Sequence, residues 1–396
     1  VVSRRVKPRR NMPAEARHIA VFAATIAAVL CIARFSTPPL RRAVRSSRLS
    51  AARASSIASF RPISSTGLSY SRGPKYQQLK GGASFSSSME KAASTTMVAT
   101  PPKVDSIDKA KDLLDSVDTI IFDCDGVIWK GDTLIDGIPE TLDFLRQQGK
   151  TIYFVTNNAR KSRAGFKKKF DDLGLSISSE EILSSAFAAA AYLDKIGFKV
   201  TGKSVYVIGD VGIGEELDLL GIQWHGGTAD IGKGIELKSG FALPHDENVG
   251  AVIVGFDYGI NYYKIQYAQL CINENPGCLF IATNLDALTH LTDSQEWAGN
   301  GAMVGAIKGC TGKEPTVVGK PSPLLIDYLV QKFGLKKDRI LMVGDRLDTD
   351  ILFGKENGLK SCLTLTGVTT EKKLFDDENK IIPDVYVDSI NAFRGA

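Results

Sequence analysis

Thr119-Ile-Ile-Phe-Asp-Cys-Asp-Gly126 sets a short apolar strand, ending at Phe122, directly before two carboxylates in one tight turn. Like charges at that spacing repel, and a purely structural loop has little reason to hold both. A cation relieves the repulsion, and hard oxygen ligands of this kind suit Mg²⁺. Gly126 lets the chain turn closely around a bound group. Asp123, Asp125 and Gly126 are therefore the first candidate site residues, although a D-x-D pair also arises by chance in loops.

Working outward, Ser106–Val117 has the charged-apolar spacing of an amphipathic helix. Downstream the pattern predicts a helix over Pro139–Gln148, a strand over Thr151–Val155, and helices over Lys161–Leu173 and Ser185–Ile196. Strands follow near Ser204–Ile208, Ala251–Val254 and Leu279–Ala282, with helices at Gly214–Leu220 and Tyr262–Asn273. The last stretch reads helix Leu324–Phe333, strand Ile340–Val343, helix Thr349–Asn357, strand Ser361–Leu365 and a strand near Val385–Val387. Alternating strands and helices predict an α/β fold with a Rossmann-like, doubly wound parallel-sheet core.

Three further features fall at or near predicted strand ends, where open α/β sheets place their ligands. Thr156-Asn157-Asn158 offers a hydroxyl and backbone N–H groups to a phosphoryl oxygen, or else caps a helix. Lys320, held out of the following helix by Pro321, projects into a site or is a solvated surface charge. Gly344-Asp345-Arg-Leu-Asp348-Thr-Asp350 delivers a turn thick with carboxylates, suited to a cation or to a charged helix start.

In this order the four features resemble the signature of the haloacid dehalogenase superfamily, from about residue 105 to the C-terminus. Phe122-Asp-Cys-Asp-Gly-Val-Ile-Trp129, Phe154-Val-Thr-Asn-Asn158, Phe280-Ile-Ala-Thr-Asn284 and Gly344-Asp-Arg-Leu-Asp-Thr-Asp-Ile351 are similar to plant and algal phosphoglycolate phosphatases. That group also holds p-nitrophenyl and pyridoxal phosphate phosphatases. The resemblance implies a catalytic core formed by residues 105–198 and 308–396, with residues 199–307 as an inserted α/β cap that closes over the substrate. It implies that Asp123 attacks phosphorus, and that Asp125 protonates the leaving group and later activates water. It implies Mg²⁺ held by Asp123, the Asp125 carbonyl and Asp345, with Asp350 nearby and more suited to metal-bound water. Lys320 and Thr156 would bind phosphoryl oxygens, assisted by Asn157 and the N–H groups after Asp125, including Gly126. The cap loop Thr283–His290 would select the substrate, through Asn284 or His290. Arg160, Lys161 and Arg163 are candidates for meeting a substrate carboxylate.

Composition adds exclusions. Residues 1–89 hold 16 Lys and Arg against Glu15, whereas residues 90–396 hold 33 basic and 43 acidic residues, a net of −10. So acidic a body offers no broad basic surface to nucleic acid. The Ser-, Arg- and Ala-rich N-terminal extension has the composition of an organellar transit peptide, and the resemblance to plant and algal phosphatases implies the chloroplast stroma. Its apolar run Ile19–Ala33 falls short of the roughly 20 residues of a spanning helix, so no stable membrane anchor is expected. The 6 cysteines form no C-x-x-C pair and accompany no His cluster, which argues against structural zinc and against a disulfide framework. Relatives suggest a homodimer through the cap. A phosphomutase is disfavoured by the short stretch between Asp125 and Thr156, which leaves no room for that class's usual cap. The expected activity is hydrolysis of a small phosphorylated metabolite, foremost 2-phosphoglycolate. Pyridoxal phosphate as substrate, or a non-catalytic binding role, are the alternatives.

Overall fold

The computed structural model describes residues 100–394 apart from His290 and Asp293. The expectations for residues 1–89 and for His290 lie outside the described residues. Among those described, no helix is long and apolar enough to cross a membrane.

Two parallel sheets build the fold. The larger has six strands in the order Val385–Val387, Lys360–Thr364, Ile340–Gly344, Thr119–Phe122, Thr151–Thr156 and Ile182–Ser184. All five pairings are parallel. Side chains alternate across a strand, and here both faces are apolar. Ile121, Tyr153, Val155 and Met342 pack on one side, with helices Ser185–Lys195 and Leu324–Phe333. Ile120, Phe122, Phe154 and Val343 pack on the other, with helices Ile107–Asp115, Ile138–Gln147 and Arg163–Asp172. This is the expected doubly wound α/β core. Three of its helices start where the sequence supplies caps: Ser106, Ser162 and Ser184 each accept a backbone N–H from the first turn that follows.

The second sheet orders Thr316–Val317, Leu279–Ala282, Val249–Val254, Ser204–Ile208 and Trp224–Gly226, again all parallel. Val205, Val207, Ala251, Ile253 and Ile281 turn one face of it into the same apolar cluster that covers the first sheet. Helices Ser185–Lys195 and Val211–Leu220 lie in that shared layer. The inserted unit is thus continuous with the core along one side. Position 307 falls inside helix Asn300–Thr311, and the sheet takes its edge strand from Thr316–Val317. That strand is two residues long, too short to show a period in sequence.

Candidate active site

Adjacent parallel strands bring the predicted carboxylates together. Asp123 leaves the strand ending at Phe122, and Asp345 leaves its neighbour ending at Gly344. Thr156 ends the strand on the other side of Asp123. Lys320 arrives from the segment before helix Leu324–Phe333, and it is 2 % exposed. Its Nζ donates to Asp123 Oδ1 at 2.5 Å and to the Val155 carbonyl at 2.8 Å. Asp350 Oδ1 lies 2.7 Å from the same nitrogen, yet this buried oxygen has no aligned hydrogen bond.

One carboxylate oxygen from each of Asp123, Asp345 and Asp350 lies within 4.8 Å of the others, and all three residues are buried. Burial pushes the Asp123 carboxyl well above its ordinary range; Lys320 pulls it back, while Asp350 and Asp345 add repulsion. Asp345 is pushed up to about 7, by burial first and then by Asp350. A hydrogen bond from the Val368 N–H at 2.7 Å opposes that rise. Burial pulls Lys320 down, but Asp123 and Asp350 outweigh it and hold the ammonium charged. A single cation thus stands among three buried carboxylates. With all three ionised the lysine alone does not balance them, and the donors are all hard oxygens, which fits a divalent cation such as Mg²⁺.

Glycines make the space. A Cβ on Gly126 would stand 2.5 Å from Asp345 Oδ2, one on Gly367 would stand 1.9 Å from it, and one on Gly344 would stand 2.1 Å from Asp350 Cβ. Gly126 also adopts φ 81°, a conformation that disfavours any side chain. Its N–H donates to the Trp129 carbonyl at 2.8 Å, so its contribution is room and turn geometry, not an N–H for substrate.

The other expected residues divide into two groups. Asp125 is exposed to the cavity and accepts from Trp129 Nε1 at 2.8 Å through Oδ1, which leaves its second oxygen available. It stands outside the carboxylate trio. Thr156 Oγ1 accepts from the Asn158 N–H at 3.1 Å and keeps its own proton to donate; Ser162, not Thr156, caps the next helix. Asn157 instead braces Lys320: its Oδ1 accepts the Lys320 N–H at 2.8 Å and its Nδ2 donates to the Lys320 carbonyl at 3.1 Å. Asn284 Nδ2 donates to the Asn157 carbonyl at 2.6 Å, so this cap asparagine fastens the loop that carries Asn157. Arg163 is paired with Glu216 and stacked over Phe187, away from the cavity. Cys124 is fully buried, and burial pushes its thiol well above the ordinary range, so it packs as a small core side chain.

A cavity of about 570 Å³ opens above the trio. The short antiparallel hairpin of Leu288–Thr289 and Trp297–Ala298 contributes to its wall, together with Asp286 and Phe256 from the inserted unit. Lys130, Asp286 and Arg346 are the charged lining residues that sequence reading left out. Asp286 accepts from Asn157 Nδ2 at 3.2 Å, and burial raises its carboxyl against the pull of Arg346 and Lys320. Asp286 and Arg346 stood inside quoted motifs, but only the fold shows which way they face.

Residues 120–223 match the haloacid dehalogenase-like hydrolases, and residues 317–393 match the HAD-hydrolase-like group. Phosphoglycolate phosphatase 1A, chloroplastic, of Arabidopsis thaliana is 61% identical over 287 residues, covering 72% of this chain and 79% of that protein. The chain belongs to the haloacid dehalogenase-like hydrolases. Solved members of the family share the architecture. A p-nitrophenyl phosphatase from Archaeoglobus fulgidus superposes with a TM-score of 0.60 at 30% identity, covering 70% of this chain and 98% of that one. A glycerol phosphate phosphatase from Mycobacterium tuberculosis, solved in complex with magnesium, gives 0.58 at 27% identity over 71% and 77% of the two chains. As in the order of the sequence motifs, Asp123 and Asp345 lie at strand ends and Lys320 comes from a later segment.

Proposed function

We propose that this chain hydrolyses 2-phosphoglycolate to glycolate and phosphate, with the phosphoryl group carried on Asp123. The observation that carries the chemistry is the Lys320 ammonium 2.5 Å from Asp123 Oδ1 inside a buried carboxylate trio. A carboxylate held between a fixed cation and a metal site can approach a phosphate dianion that would otherwise repel it. The substrate rests on the 61% identity to the Arabidopsis phosphoglycolate phosphatase.

In the first step a carboxylate oxygen of Asp123 attacks phosphorus and the bond to the glycolate oxygen breaks. Asp125 gives that oxygen its proton. In the second step Asp125 takes a proton from water, the water oxygen attacks phosphorus, and the aspartyl oxygen leaves with the electron pair. Thr156 donates its hydroxyl proton, and Lys320 its charge, to phosphoryl oxygens. Asn157 and Asn284 act through Lys320 and its loop rather than on substrate. The carboxylates of Asp123, Asp345 and Asp350, with the Asp125 carbonyl, would hold Mg²⁺, which when bound supplies charge neutralisation at the phosphoryl group. In this reading residues 199 to about 317 form the cap, and residues 1–89 direct the chain to the chloroplast stroma; import of a reporter fused to them into isolated chloroplasts tests the latter.

The deciding experiment is phosphate release from 2-phosphoglycolate, glycerol 3-phosphate, p-nitrophenyl phosphate and pyridoxal phosphate with Mg²⁺. A preference for 2-phosphoglycolate of roughly 100-fold in kcat/KM, about 2.7 kcal/mol, is expected. Equal rates on all four would discard the substrate and keep the chemistry.

Cation binding is expected to depend on pH. Asp345 titrates at about 7 in the metal-free site. Below that pH a cation must displace a proton, which weakens apparent affinity by up to about tenfold per pH unit. Mg²⁺ should therefore raise Tm more at pH 8 than at pH 6 at one concentration. Equal increments at the two pH values would mean that Asp345 is not a ligand.

A further inference from the structure

Four cationic side chains line the cavity, Lys130, Arg160, Lys320 and Arg346, with Lys169 close by over Trp129. Lys320 faces the phosphoryl site. Arg163 is bound to Glu216 at 2.9 Å, and Lys169 donates to the Gly131 carbonyl at 2.7 Å and sits over Trp129. Arg160 pairs with Asp210 at 3.1 Å and stacks on Tyr258 at 4.2 Å. Arg346 differs from these. It lines the cavity one residue after Asp345, and its own N–H donates to Asp350 Oδ2 at 3.0 Å, so its backbone belongs to the carboxylate loop.

Its guanidinium is fixed in place before any substrate arrives. Nε donates to Asp348 Oδ1 at 3.1 Å and Nη2 to Asp348 Oδ2 at 2.8 Å. Nη1 donates to the Leu288 carbonyl of the cap hairpin at 3.3 Å. Of five N–H donors, three are used in this way, which leaves one on each terminal nitrogen among the described residues. Two donors on one planar group are what a carboxylate takes from an arginine, and a lysine could not present them in that geometry. Asp286 also acts on Arg346 electrostatically without forming an ion pair with it.

We infer that Arg346 receives the carboxylate of the substrate and so sets the enzyme's preference for phosphorylated 2-hydroxy acids over uncharged phosphate esters of the same size. This rests on the phosphatase reading above. In such a substrate one carbon separates the ester oxygen from the carboxylate, so the second anion must lie close beside the phosphoryl group. Arg346 is the lining cation carried by the loop that holds Asp345 and Asp350, and it has two N–H donors to spare there, whereas Lys130 and Arg160 line the cavity from other segments. The Leu288 contact gives a second consequence: cap hairpin and core loop share the residue, so the carboxylate subsite is complete only when the hairpin is seated.

The test compares the full chain with Arg346→Met and Arg346→Lys, measuring kcat/KM for 2-phosphoglycolate and for glycerol 3-phosphate. Glycerol 3-phosphate keeps the small phosphate ester and replaces the carboxylate with hydroxyls. Loss of two charged hydrogen bonds predicts that the ratio of the two efficiencies falls roughly 100-fold in Arg346→Met. Arg346→Lys, with charge but no fork, should fall between. A ratio that stays within about threefold of wild type in both variants, even if both rates drop together, overturns the inference and leaves Arg346 as a loop support. A wild-type enzyme without any preference for 2-phosphoglycolate overturns the substrate reading itself. A wild-type preference that survives both substitutions overturns this inference alone.

Discussion

Asp123→Asn is expected to lower phosphate release by at least about 10⁴-fold while the chain stays folded, because an amide cannot form the covalent phosphoryl intermediate. The substitution is nearly isosteric and keeps an oxygen that can accept from Lys320 Nζ. It also removes one of three carboxylates whose oxygens lie within 4.8 Å of each other. Burial and those neighbours already push the Asp123 carboxyl upward, so its charge is held in place at a cost in the metal-free protein. Loss of that charge should leave Tm unchanged or slightly raised without Mg²⁺, and should shrink the Mg²⁺-induced rise. A thermal shift assay beside a phosphate-release assay separates the two effects. Turnover near wild type would remove Asp123 as the nucleophile, and a collapsed Tm would show that the lost activity reports unfolding.

Most of the core was legible because its strands are uninterrupted apolar runs with chemistry at their ends. Thr119–Phe122, Ser204–Ile208 and Leu279–Ala282 fall where the pattern placed them. A parallel sheet buried on both faces writes itself in sequence as such runs, and their C-terminal ends mark the site. The carboxylate trio and Lys320 were legible for the same reason. What was not legible depends on partners distant in sequence. Asn157 looked like a phosphate contact, yet its side chain is used on the backbone of Lys320, 163 residues away. Asn284 looked like a selector; it lines the cavity while its side chain donates to the Asn157 carbonyl. Asn side chains are short and polar, and nothing local distinguishes one that faces a ligand from one that satisfies buried backbone. The hairpin Leu288–Thr289 with Trp297–Ala298 was invisible because two-residue strands carry no periodicity, and with it went the direction of Asp286 and Arg346.

Lys320→Met is expected to have the larger effect on stability. Methionine fills the space of the lysine stem but offers no N–H. Removing the ammonium leaves the Val155 carbonyl without this donor and leaves Asp123 and Asp350 without their buried cation. Breaking a buried ion pair from one side costs about 3–5 kcal/mol, because the surviving charge stays desolvated. The sign with pH follows from the carboxyls. Asp345 lies at about 7 even with Lys320 present, and without the lysine the trio must climb further. An acid whose pKa is higher folded than unfolded binds its proton more tightly in the folded chain. The penalty in metal-free variant protein is therefore mild at low pH and grows as pH rises through about 7. Mg²⁺ brings a new positive charge to the same carboxylates and should restore part of the lost Tm at pH 8. It should not restore turnover, expected to fall about 10³-fold, because the charge that Lys320 lends the phosphoryl oxygens is gone. Tm and phosphate release at pH 6 and pH 8, with and without Mg²⁺, check all of this in one series. A metal-free Tm at pH 8 close to that of wild type would mean that the trio is already neutral there. In that case Lys320 would contribute its charge to the substrate and not to the fold.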